Sequence, residues 1–149
     1  MTDVASEHRN VPRPLEVHAV WRGGFAADVH ARGHRIAVDE PVDGGDTGAM
    51  PTELLCASLA SCFCLAISHV AGKRGVELPD LRVDVRAERD GRALRYGRFM
   101  VTASSSLPED ELAPLVERAR RFCWVSNTFA APPTIELSSK HFTPTTEVQ

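Results

Sequence analysis

The chain has 149 residues, one domain's worth, and 43% are hydrophobic, which excludes a disordered chain. Its net charge is -3 and its pI about 6.1, so there is no basic footprint for nucleic acid. The four cysteines (Cys56, Cys62, Cys64, Cys123) are three in one short stretch and one far away, which is neither a secreted disulfide framework nor a paired Cys-x-x-Cys zinc site.

Residues 1–13 and 140–149 read as loose tails around one folded domain spanning 1–149. The opening residues have no apolar signal-peptide core, so the expectation is a soluble, cytoplasmic protein. Leu15 to Trp21 alternates apolar and polar, as a strand does. Gly23-Gly24 and Gly33 then punctuate two further short strands, Phe25 to Ala31 and His34 to Val38, giving an antiparallel meander. Pro41 to Met50 is Gly/Asp-rich without calcium-loop spacing and reads as a mobile connector.

Pro51 suits the first position of a helix, and the apolar run that follows ends at Gly75. Its apolar stretch, Leu54 to Val70, is interrupted by Ser58, Ser61, Ser68 and His69 and reads as too short to span a membrane. Leu81 to Glu88 and Tyr96 to Ser104 form a hairpin about Asp90-Gly91. Pro108 and the acids after it open a second helix, whose apolar stripe runs from Leu112 through Phe122 and Cys123. Thr134 to Leu137 reads as a last strand. The class is α+β, in the order β-β-β-α-β-β-α-β. A long central helix that is apolar nearly all round needs more cover than one sheet of five or six strands supplies, which predicts an obligate homodimer.

Successive helical residues turn by about 100°, so Cys62 and Cys64 point to nearly opposite faces and cannot bond to each other. Cys56 and Cys64 are separated by about 12 Å along the axis. A buried, inert thiol is the ordinary fate of a free cysteine. Cys123 changes the weighing for Cys62, because two packed helices can bring one cysteine from each into disulfide range. Such a pair uses one thiolate as nucleophile and a second thiol to resolve it. The six histidines form no close-spaced ligand pair, and His69 lies about 10 Å along the helix from Cys62, so it reads as a satisfied helix-end side chain.

The segment P-T-E-L-L-C-A-S-L-A-S-C-F, Pro51 to Phe63, resembles the core motif of the OsmC/Ohr family, named for osmotic induction and organic hydroperoxide resistance. R-G-H-R-I-A-V-D-E-P and G-G-D-T-G resemble its OsmC-like branch, and F-C-W-V-S-N-T matches its second cysteine motif. The resemblance runs from about Leu15 to Ser138. It implies an intertwined homodimer whose long buried helix carries the reactive cysteine, with sites at the subunit interface. It also implies a thiol peroxidase in which Cys62 attacks an organic hydroperoxide and Cys123 resolves the product. An external dithiol is the reductant, and no metal or other cofactor, membrane or nucleic acid takes part. The family pattern adds an arginine that holds the cysteine as thiolate and an acid that orients it. Arg22, Arg32 and Arg35 can each supply that cation, and Arg35 is chosen because it opens a strand just before the loop into the helix. In the hydroperoxide branch Glu follows the helix-opening Pro. Here that position is Thr52, and Glu53 reads as a first-turn acid complementing the helix dipole. The alternative function is a non-enzymatic relative that holds a small apolar ligand at the dimer interface.

Overall fold

The computed structural model describes residues 14–143; the expected tail 1–13, and the end of the other from 144, lie outside the described residues. The elements are β1 (His18–Gly23), β2 (Ala26–Ala31), β3 (His34–Val38), α1 (Pro51–Arg74), β4 (Arg82–Arg89), β5 (Tyr96–Ser104), α2 (Glu109–Ala119) and α3 (Trp124–Ala130), with a 3-10 turn Arg120–Phe122 between the last two. The chain divides into two compact units, 1–57 and 58–149, with the boundary inside α1.

In the first unit β1, β2 and β3 form an antiparallel sheet in that order. β2 is the middle strand, with His30 opposite both His18 and Arg35. The segment after β3 is not the mobile connector expected. Asp39 is buried, and its carboxylate accepts the backbone N–H groups of Glu40, Gly45 and Thr47 and the hydroxyl of Thr47. Asp39 also donates its own N–H to the Ala49 carbonyl, and a single parallel bridge joins Val38 to Ala49. The loop is thus folded around one carboxylate, which satisfies donors that water would otherwise have to meet. Two glycines permit it: a β-carbon at Gly44 would overlap the Asp39 carboxylate, and one at Gly48 would overlap the Ala37 carbonyl.

The hydrogen bond from Thr47 is the largest influence on Asp39 and, with the backbone donors, lowers its pKa against the opposing effect of burial. A carboxylate with a depressed folded-state pKa contributes stability that is complete above the ordinary carboxylate range and is lost as pH falls through the folded value. Gly48→Ala is expected to cost about 1–3 kcal/mol, because backbone rather than a flexible side chain must give way. Thermal melts of the variant at neutral pH check this, and a midpoint unchanged from wild type would contradict it.

α1 follows its sequence signals closely. Pro51 occupies the first helical position, where no intrahelical N–H is needed. Glu53 reaches back so that its Oε2 accepts the Met50 N–H at 2.9 Å, the reciprocal half of a capping box. At the far end Gly75 takes φ +66°, and Val76 donates its N–H to the Ala71 carbonyl, closing the helix as a left-handed cap does. Contrary to the sequence expectation, α1 is long and apolar enough to cross a membrane by length and composition alone.

In the second unit β4 and β5 pair antiparallel. The strands therefore make two sheets, not the single sheet of five or six expected from the sequence. The core is built where α1 meets α2. Ala66, Ile67, Val70 and Ala71 pack with Leu115 and Ala119, and Val83 and Ala103 of the hairpin close against them. Only one side of α1 is covered this way: Leu65 remains 72% exposed.

Two expectations fail here. The second helix does not run on through Cys123, where the backbone turns extended (φ -85°, ψ 100°) and a new helix begins. Thr134 to Leu137 forms no strand. Ile135 and Leu137 stand 82% and 93% exposed, and a lone alternating segment has no ladder to join among the described residues.

Candidate active site

Cys62 lies midway along α1, between Leu59 and Phe63 on the buried side. Leu59, Phe63 and Cys123 form a buried cluster, and half-buried Cys62 packs against it together with Val85, Phe99, Val101 and Val125. The fold of the second unit thus brings the two cysteines singled out from the sequence to one place. Cys56 and Cys64 are half-buried free thiols that do not belong to this cluster.

Cys123 is fully buried, yet its position differs from the stripe residue expected. It is the N-cap of α3, and its Sγ accepts the Ser126 N–H at 3.5 Å. Its carbonyl accepts the Asn127 N–H and the Ser126 hydroxyl. A thiol at a helix start takes the place that a Ser or Asp oxygen usually fills. The break between α2 and α3 fixes the direction of this sulfur, because a continuous helix would have left the Ser126 N–H bonded to a carbonyl.

Beside the cluster is an apolar cavity of about 710 Å³. Leu59 and Phe63 of α1, Phe99 and Val101 of β5 and Phe129 of α3 supply its hydrophobic walls, while Glu117, Arg120, Arg121, Ser126 and Asn127 supply polar groups. The volume and this mixture suit a small organic molecule.

Two of the three candidate arginines meet on one acid within the first unit. Asp28 is 3% exposed, and its two oxygens are divided between Arg22 Nε and Arg35 Nη2, each at 2.6 Å. Arg35's hydrogen bond is the largest cause of the lowered Asp28 pKa; burial opposes it, and Arg22 lowers it further. Both guanidiniums are held at one end and about 59% exposed, so each keeps donors for another partner. Arg32 is different: it occupies the β2–β3 turn at φ +55°. His30 lies two residues from Asp28 and hence on the same face of the sheet, and its ring stacks on His18 at 4.9 Å.

Asp28, which holds two of the three candidate arginines, is not singled out by the sequence reading. The available signal was the strand period: with hairpins at Gly23-Gly24 and Gly33, positions 28, 30 and 35 fall on one face. Glu53, by contrast, is occupied at the start of α1, as expected. Among the described residues, no three His, Cys, Asp or Glu side chains gather as a metal site would require.

Residues 44–138 match the family model described as OsmC-like protein. The chain belongs to the OsmC-like family. The organic hydroperoxide resistance protein OhrB of Bacillus subtilis is 28% identical over 135 residues, covering 78% of this chain and 98% of OhrB. Among solved structures, the OsmC-like protein from Mycoplasma pneumoniae superposes with a TM-score of 0.72 at 16% identity, over 82% of this chain and 91% of that one. The crystal structure of OhrB gives 0.57 at 26% identity, over 78% and 90%. The mixed α+β fold is therefore that of OsmC-like proteins.

Proposed function

We propose that this OsmC-like protein is a thiol-dependent peroxidase that reduces organic hydroperoxides in the cytoplasm. The observation that carries the reading is that Cys62 packs against the cluster holding Cys123, the only cysteine outside α1. The Cys62 thiolate attacks the terminal, hydrogen-bearing oxygen of the O–O bond. That bond breaks, the alkoxide leaves with a proton as the alcohol, and Cys62 becomes a sulfenic acid. Cys123 then attacks the Cys62 sulfur, water leaves, and a disulfide links the two. An external dithiol returns both thiols by exchange.

Arg35, held by Asp28 beside Arg22, is the cation we assign to Cys62. A mid-helix cysteine has no helix-dipole assistance and needs such a charge to react fast. The apolar cavity beside the cysteine cluster is suited to hold the organic part of the hydroperoxide. The same cavity is what favours the second reading, a binding protein with inert thiols. One experiment separates them: free thiols are counted before and after one equivalent of tert-butyl hydroperoxide. The peroxidase loses two of four thiols quickly; the binding protein loses none.

The working unit in this proposal is a homodimer. α1 is apolar on sides that its own unit leaves bare, Leu65 most of all, and a second copy is the simplest cover. Light scattering at micromolar concentration is expected to give twice 16.3 kDa, with no dissociation short of unfolding. A stable folded monomer would count against it.

A further inference from the structure

A second cavity, of about 390 Å³, opens between the C-terminal ends of α1 and α2. It is lined by His69, Val70, Lys73, Arg74, Arg118 and Phe122. The lining holds three cations and an imidazole and no carboxylate, in a chain that has 20 acidic residues to 17 basic ones. Among the described residues, none of Lys73, Arg74 and Arg118 takes part in an ion pair, whereas Arg120 nearby leans toward Glu117. Each cation lies in the last turn of its helix, where the dipole favours positive charge. The dipoles account for a cation at each helix end. They do not by themselves account for three cations along the lining of one hollow with no carboxylate in that lining.

The hollow also has an apolar side. Val70 is buried, and the Phe122 ring contacts His69 at 5.3 Å and remains 45% exposed. An anion with a flat apolar group would meet both features. Three separated cations suit the three terminal oxygens of a phosphate better than the two of a carboxylate. The volume is that of a small-ligand site.

We propose that this cavity binds a small phosphate ester, its phosphate among Lys73, Arg74 and Arg118 and its apolar group against Phe122. The site is independent of the thiol chemistry: His69 lies two helical turns, about 10 Å, beyond Cys62.

Calorimetric titration of the full-length protein with phenyl phosphate tests this, with ionic strength held constant by sodium chloride. One molecule is expected to bind per chain, with Kd below about 1 mM. Lys73→Gln combined with Arg118→Gln is expected to weaken binding at least about tenfold. Phe122→Ala should abolish the preference for phenyl phosphate over inorganic phosphate. Absence of binding by the unaltered protein at about ten times that concentration overturns the proposal, and so does equal binding by the double variant. The wild-type titration is decisive even if a variant folds poorly.

Discussion

Cys62→Ser is expected to abolish hydroperoxide turnover while leaving the fold intact. A serine hydroxyl is close in size to a thiol and the site is only half-buried, so packing changes little. The chemistry changes entirely, because the nucleophile is the thiolate and a serine at this pH offers no comparable anion. Cys123→Ser is expected to behave differently. The first oxidation still consumes one peroxide, but no second thiol follows, and the sulfenic acid accumulates and advances to sulfinic acid in excess peroxide. Serine retains an oxygen able to accept the Ser126 N–H, so α3 keeps its cap. Stopped-flow peroxide consumption and intact mass distinguish the two variants. Full turnover in Cys62→Ser would refute the assignment of the nucleophile.

Asp28→Asn is the second change with a large expected effect. The carboxylate holds Arg22 and Arg35 at once, and an amide can accept from one of them but carries no charge to pair with either. Neither guanidinium is then held by a charge. With Arg35 the cation assigned to the thiolate, hydroperoxide turnover of the variant should fall about tenfold. Arg35→Ala should lower turnover likewise, and Arg22→Ala should lower it less. A merely structural role for Asp28 would lower the melting temperature and leave the turnover of the surviving folded protein where it was. Because the Asp28 pKa is depressed, the clamp is complete above the ordinary carboxylate range and is lost as pH falls through the folded value.

Local chemistry explains how much could be read without coordinates. β3, β5 and α1 have the boundaries expected, because Gly33, Pro51 and Gly75 act within a residue or two of themselves. Cys62 and Cys123 were identified by motif and meet in one cluster. The features that escaped depend on partners supplied by folding. Asp39 gathers donors from Glu40, Gly45 and Thr47, so a Gly/Asp-rich segment that reads as loose is pinned by a carboxylate two residues ahead of it. Asp28 becomes visible only once strand register aligns it with two arginines. The amphipathic stripe through Cys123 continues in sequence while the helix does not, because a thiol can serve as an N-cap and restart the helix. The alternation of Thr134 to Leu137 is a strand signal without a ladder.

The central claim is that Cys62 and Cys123 react as a pair. It is tested most directly by treating the reduced protein with one equivalent of tert-butyl hydroperoxide, blocking the remaining thiols, and mapping peptides without reductant. The account predicts one intrachain disulfide, Cys62 to Cys123, with Cys56 and Cys64 recovered as blocked thiols. Cys62 still reduced, or joined to Cys56 or Cys64, would contradict it.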